Sequence, residues 1–317
     1  MAGALFHLVA GIVLLALGGD SLVKAASTLA RRAGASPFAA GLVLVAFATS
    51  VPELAVNLRA MAAGEPALAL GNAVGSNIAN FGLTLGAAAL CAPLRLRWPA
   101  LPPLLLCLVL ATVAAILLAQ DGRLSRIDGA ILVAAFAVVL GVAWSIGRRQ
   151  ARLARLGEEF ADLFPVHGST VPNLARLAIA AALLWFGASW VVRGAVGLGP
   201  VLGMEALVLG LLPVAIGTAL PEVAAAIAAA RRGQGDLVAG HVIGSSLVNL
   251  LLVVGGMALV RDVQVPASFV RFELPAALVL AALLLPMLRG GLEVSRAEGA
   301  VLLAAFLAWV GFEVVML

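Results

Sequence analysis

The sequence predicts an all-α membrane protein: ten transmembrane helices arranged as two inverted five-helix repeats. Three observations carry this. Of 317 residues, 63% are hydrophobic and only 11% are charged, against about 25% charged in a soluble domain. The apolar residues gather in ten runs, each near the roughly 20 residues that a helix needs to cross a bilayer. A 50-residue stretch also recurs, residues 41–90 aligning without a gap on 210–259 at an offset of 169, with 19 identities. The low charge excludes a soluble globular protein, and the apolar content excludes disorder.

The runs lie near 4–26, 37–62, 67–92, 99–119, 127–147, 174–197, 205–230, 236–260, 270–288 and 297–316. They divide the chain into a first half (1–147), a linker (148–172) and a second half (173–317). The first run has no Lys or Arg before it, unlike a signal peptide. Its counterpart under the offset is a mid-chain run, with Gly18 on Gly187 and Lys24 on Arg193, so it reads as a retained helix. Five spans per half is an odd number, so the halves enter the membrane in opposite senses, as in many secondary transporters.

Loop charge sets the orientation. With the N-terminus outside, 14 basic residues lie on the cytoplasmic side and 6 outside, and the positive-inside rule then places both termini outside and the linker in the cytoplasm. The same bias explains the net charge of +4 without a nucleic-acid partner. The expected surroundings are the lipid bilayer of the cell membrane, and no protein partner is implied. In the linker, Leu153, Leu156, Phe160 and Leu163 recur at helical spacing. That fits an amphipathic surface helix and equally a solvated connector. Cys91 and Cys107 show no metal-type spacing, so neither a disulfide framework nor a zinc site is expected.

The chemistry resides in polar residues inside the spans. Glu53 and Glu222 occupy equivalent repeat positions deep in apolar runs. A carboxylate in hydrocarbon costs roughly 2.5 kcal/mol or more, so it usually faces a cavity and marks a function. Two of them in register argue against a mere packing carboxyl. Thr49, Ser50 and Glu53 lie within one helical turn of each other around Pro52, and Thr218 and Glu222 repeat the pattern around Pro221. Proline removes a helical hydrogen bond and clashes with the carbonyl four residues earlier. Backbone oxygens near Ala46 and Ala215 are therefore candidate ligands for a hard cation.

In the following run Asn72, Ser76 and Asn80 recur at intervals of four, and His241, Ser245 and Asn249 repeat them. These polar seams read as ion-pathway residues, with interhelical hydrogen bonding as the alternative. The glycines beside them (Gly71, Gly75, Gly82, Gly86, Gly240 and Gly244) read as close-packing positions. His241 reads as a packing residue before a ligand or relay, and Asp20 as a snorkelling or hydrogen-bonded side chain. No nucleophile–base pair, phosphate loop or Cys/His cluster suggests an enzyme or a bound cofactor.

These motifs resemble the sodium/calcium exchanger family, prokaryotic type, of the calcium/cation antiporter superfamily. The first copy is Ala-Thr-Ser-Val-Pro-Glu (48–53) with Gly-Asn-Ala-Val-Gly-Ser-Asn-Ile-Ala-Asn (71–80). The second is Gly-Thr-Ala-Leu-Pro-Glu (217–222) with Gly-His-Val-Ile-Gly-Ser-Ser-Leu-Val-Asn (240–249). The resemblance implies alternating-access exchange of Na⁺ for Ca²⁺, with Thr49, Ser50, Glu53, Ser76, Asn80, Thr218, Glu222, Ser245 and Asn249 as the ion site. Ala219 stands where the family usually carries a hydroxyl, and Asn249 where some members carry Asp. The linker lacks the calcium-sensing domains of the animal exchangers.

Two other readings stand beside this one. A Ca²⁺/H⁺ antiporter of the same superfamily resembles Gly-Asn-Ala-x-Glu, whose fifth position is here Gly75 or Gly244. A membrane scaffold or intramembrane enzyme would show no ion flux.

Overall fold

Eight helices among the described residues are long and apolar enough to cross a membrane, and one bent pair raises this to nine. The computed structural model describes residues 1–32, 50–96, 101–150, 170–289 and 293–315. The helices are α1 (Ala2–Arg32), α2 (Val51–Ala63), α3 (Pro66–Cys91), α4 (Leu101–Leu118), α5 (Arg126–Gln150), α6 (Thr170–Leu202), α7 (Ala206–Leu220 and Glu222–Arg231), α8 (Gly235–Val260), α9 (Phe269–Glu273 continued by Leu274–Arg289) and α10 (Arg296–Val315). The expected run over 37–62 is described only from Ser50 onward, and the linker over 151–169 lies outside the described residues.

Some helix ends run past the apolar runs. α1 continues to Arg32, well past residue 26, and α6 spans Thr170–Leu202 rather than 174–197. An apolar run marks only the buried stretch of a helix. Polar ends such as Lys24, Arg31 and Arg32 are themselves good helix formers. Asp20 lies one turn before Lys24, and the two side chains pair at 2.7 Å on an exposed face of α1.

α3 and α8 form the centre. In each, 78% of the spanning stretch is buried, against 28–39% in the other eligible spans. Small residues let backbones approach at the crossings. A Cβ on Gly71 would collide with the Leu207 carbonyl, and one on Gly210 with the Leu68 carbonyl, so α3 and α7 cross with almost no space between them. At the periphery α1 packs along α6, with Gly11 against Val191 and Gly194 against Leu8.

The two halves interlock by reciprocal contacts. Gly129 of α5 lies against Gly255 and Leu259 of α8, and Gly299 of α10 lies against Gly86 and Leu90 of α3. Leu94–Arg95 pairs antiparallel with Glu293–Val294, and Arg123–Leu124 with Val263–Gln264. Each half thus lends its last helix and its short strands to the other.

The helices after the short strands begin with matching caps. The Ser125 N–H donates to Asp128 Oδ2 at 2.8 Å, and the Ser295 N–H donates to Glu298 Oε2 at 2.7 Å. In return the Asp128 and Glu298 N–H groups donate to Ser125 Oγ and Ser295 Oγ, each at 3.3 Å. These are capping boxes, which satisfy orphan donors at a helix start. They repeat at an offset of 170, inside the longer match of Leu-Ser-Arg-Ile-Asp-Gly-Ala (124–130) with Val-Ser-Arg-Ala-Glu-Gly-Ala (294–300).

Candidate ion-binding site

Four helices supply the polar residues of the centre. α2 starts at Ser50 with Pro52 in its first turn and Glu53 beside it. Proline is tolerated there because its missing N–H would be an orphan anyway. Glu53 is 1% exposed, and its carboxyl group meets the Glu53 backbone N–H at the positive end of the helix dipole. In the second half, α7 bends by 45° between Leu220 and Glu222, at Pro221, and Glu222 follows the bend with its side chain 10% exposed. A π-helical turn at Gly210–Val214, containing Pro213, precedes it.

α3 and α8 each carry a π-helical turn, over Asn80–Leu85 and Val248–Val254. Asn80 opens the first turn, and Asn249, its repeat equivalent, is the second residue of the other. A π turn widens the helix and re-aims side chains, and such turns occur frequently at functional sites. Asn72, Ser76, Asn80, His241, Ser245 and Asn249 are all buried.

The structure brings the two halves together at these side chains. Ser50 Oγ donates to Ser245 Oγ at 2.9 Å. Asn80 Nδ2 lies 3.3 Å from Ser245 Oγ and 3.4 Å from Ser246 Oγ. Thr218 Oγ1 lies 3.1 Å from the Val214 carbonyl and 3.1 Å from the Ala215 carbonyl, in the neighbourhood of the Glu53 carboxyl group. Glu53 is within electrostatic reach of Glu222. Ala46 and Thr49 lie outside the described residues.

Several oxygens in this centre have no protein partner: Glu53 Oε2, Glu222 Oε1, Ser76 Oγ, Asn80 Oδ1 and Asn249 Oδ1. Leaving a buried acceptor unsatisfied costs about 1–3 kcal/mol, so native proteins keep few of them. Here they recur on α2, α3, α7 and α8. Oxygens of this kind are what a hard cation takes in place of its hydration shell. Among the described residues no three His, Cys, Asp or Glu side chains converge; the unpartnered oxygens here are those of carboxylates, amides and a hydroxyl.

The seams differ at their first positions. Asn72 Nδ2 donates to Asn57 Oδ1 at 2.8 Å. In the second half Ala226 occupies the position of Asn57 and His241 that of Asn72. His241 Nε2 lies 3.7 Å from Glu222 Oε2, so the residue read from sequence as a packing histidine borders a site carboxylate. The paired change, Asn to Ala with Asn to His, is the sequence signal that identifies it. Two further buried carboxylates also escaped that reading. Glu273 and Glu313 are 2% and 7% exposed and lie within electrostatic reach of each other, with Trp309 beside Glu313. Each falls near the end of an apolar run, where a carboxylate resembles a boundary.

Comparison with known proteins identifies the family of the chain. A family model described as sodium/calcium exchanger protein matches residues 3–145 and 173–315. Inner membrane protein YrbG of Escherichia coli is 34% identical, over 95% of this chain and 94% of the relative. The sodium/calcium exchanger MaX1 of Methanosarcina acetivorans is 28% identical, over 95% and 96%. Among solved structures, the sodium-calcium exchanger NCX_Mj matches with a TM-score of 0.66 at 27% identity, over 98% of both chains. The H⁺/Ca²⁺ exchanger CAX shares the fold, with a TM-score of 0.76 at 16% identity, over 99% of this chain and 86% of the other. Members of the matched family are secondary transporters, not enzymes. The chain, matched in both of its halves, belongs to the sodium/calcium exchanger family.

Proposed function

We propose that this protein is a secondary antiporter that exchanges Na⁺ for Ca²⁺ by alternating access. The observation that carries the reading is that Glu53 and Glu222, one from each half, lie within electrostatic reach of each other and each carries a buried oxygen without a protein partner. Two carboxylates supply a charge of −2, which balances one Ca²⁺. The Asn80 and Asn249 amides, backbone carbonyls near Ala46 and Ala215, and water complete the 6–8 oxygens that Ca²⁺ takes. Na⁺ draws on the neutral hydroxyls of Thr49, Ser50, Ser76, Thr218 and Ser245. Exchange of three Na⁺ for one Ca²⁺ moves one net charge and is electrogenic.

The architecture belongs to the same proposal. Ten spans form two inverted halves, 1–147 and 173–317, joined by a cytoplasmic linker at 148–172. Both termini lie outside the cell membrane. The reciprocal α5–α8 and α10–α3 contacts support the two-half plan, and the loop charges support the orientation.

The test is ⁴⁵Ca²⁺ uptake into reconstituted vesicles, under an imposed Na⁺ gradient and separately under a pH gradient. Uptake driven by an outward Na⁺ gradient and accelerated by an inside-positive potential is the expected result, since three Na⁺ leave for each Ca²⁺ that enters. Uptake driven only by the pH gradient would favour Ca²⁺/H⁺ exchange, and no flux in either arm would remove the transport reading. Ligands must be deprotonated to bind a metal cation, so flux falls as the medium is acidified and protons compete for Glu53 and Glu222. A flux that stays level across the acid range contradicts this site.

A further inference from the structure

We propose that Glu222 and His241 form a nitrogen-containing subsite that admits a borderline divalent transition-metal cation, alongside Ca²⁺, to the second half of the centre. His241 is 7% exposed, and neither ring nitrogen has a hydrogen-bond partner. Its Nε2 lies 3.7 Å from Glu222 Oε2, too long for a hydrogen bond. Two donors held tetrahedrally at about 2.1 Å from one metal stand about 3.4 Å apart. A small side-chain rotation therefore brings this pair onto one cation. Glu222 Oε1 is also without a partner.

The first half closes the same position. There Asn72 is tied to Asn57 at 2.8 Å and offers no nitrogen lone pair. In the second half Ala226 removes that tie, and His241 brings an imidazole to the carboxylate. Imidazole nitrogen suits Zn²⁺ and its transition-metal neighbours, whereas Ca²⁺ and Na⁺ are served by oxygen. Exchanging an amide for an imidazole at one position thus moves the preference of the site away from hard cations. With only one such nitrogen present, oxygen donors still form most of the set, and Ca²⁺ remains a ligand of the centre.

The proposal rests on the antiport reading in taking Glu222 as a cargo ligand, and its test separates the two. The chain has three histidines, His7, His167 and His241, so the double variant H7N/H167N keeps His241 as its single imidazole. Mn²⁺ bound to this purified variant is expected to show an imidazole ¹⁴N coupling in pulsed EPR, replaced by ¹⁵N when the protein carries ¹⁵N-histidine. Absence of that coupling overturns the subsite. Presence of the coupling in protein that shows no Na⁺-driven ⁴⁵Ca²⁺ uptake would sustain the subsite and remove the exchange reading. In vesicles, the ratio of the Zn²⁺ to the Sr²⁺ concentration that half-inhibits ⁴⁵Ca²⁺ uptake is expected to rise at least about 10-fold in H241N, the size that ligand partners typically contribute. An unchanged ratio would overturn the proposal.

Discussion

The two halves of this protein are copies in their packing and differ at one point of their polar seams. Capping boxes, π-helical turns at Asn80 and Val248, and glycine crossings recur in both. Asn72, however, is locked to Asn57, while His241 faces Glu222. Contacts that hold helices together tolerate little change, because close-packed interiors register even one methylene. The second half departs instead at a buried polar side chain, His241, beside the Glu222 carboxylate. The matching frame with a changed seam teaches that the equivalent positions of the two halves are constrained in packing and less so in polar chemistry.

The largest expected effect tests whether both halves serve one ion. Glu53→Gln and Glu222→Gln each leave Ca²⁺ with a single counter-charge. Removing one partner of a buried charge pair costs about 3–5 kcal/mol, or roughly 100-fold or more in affinity. Both variants should insert normally in the membrane and lose Ca²⁺ flux in vesicles. Near-normal flux in either one removes the site assignment and breaks the equivalence of the halves.

Next comes the crossing that joins the halves. Gly71→Ala and Gly210→Ala would each drive a methyl into the facing backbone, at Leu207 and Leu68. Overpacking costs about 1–3 kcal/mol, and a backbone obstacle cannot turn aside as a side chain can. Gly141, by contrast, has nothing within 4 Å of an added Cβ. Thermal unfolding in detergent should show a clear loss for Gly71→Ala and Gly210→Ala and almost none for Gly141→Ala. Equal melting of all three would mean that the halves do not cross as closely as described.

A smaller effect is expected where the seams differ. Asn57→Ala copies Ala226 and leaves the Asn72 amide without its partner. An unsatisfied buried group costs about 1–3 kcal/mol, to be read as a lower melting temperature. Ala226→Asn is the reciprocal change and should bring the second half toward the first. If Asn57→Ala melts like the unaltered protein, the locked and open seams are not a real contrast.

Much of this centre was legible because its residues are rare in their setting. A paired Glu, Pro and Asn inside apolar runs stands out on any count, and Glu53, Glu222, Asn80 and Asn249 are singled out that way. The π turns were not legible, since no residue pattern marks a wider turn in an apolar helix. Pro213 offered the single hint, through its missing N–H. The capping boxes escaped because they recur at 170 rather than 169, so a gapless alignment loses them after one extra loop residue. The His241–Glu222 approach depends on how α7 and α8 meet and on the small Ala226 side chain, neither of which is a property of one helix. Glu273 and Glu313 look like boundary residues until the helices are packed.

The smallest effect concerns the hydroxyl that the first half has and the second lacks. Ser50 Oγ donates to Ser245 Oγ at 2.9 Å, and the residue equivalent to Ser50 is Ala219. Ser50→Ala removes one neutral oxygen and leaves both carboxylates in place. Ser245 Oγ keeps its contact with Asn80 Nδ2 at 3.3 Å, so the frame of the centre holds. In the proposed site Na⁺ draws on neutral oxygens, whereas Ca²⁺ is held chiefly by charge. One net interaction of about 1 kcal/mol corresponds to roughly a fivefold shift. The Na⁺ concentration for half-maximal exchange should therefore rise about that much, with a smaller change in Ca²⁺ affinity. Both are measurable on the same vesicles, by varying Na⁺ at fixed ⁴⁵Ca²⁺ and then the reverse. A loss of Ca²⁺ affinity equal to that of Na⁺ would mean that Ser50 serves both ions, and that the second half compensates for Ala219 with an oxygen from elsewhere.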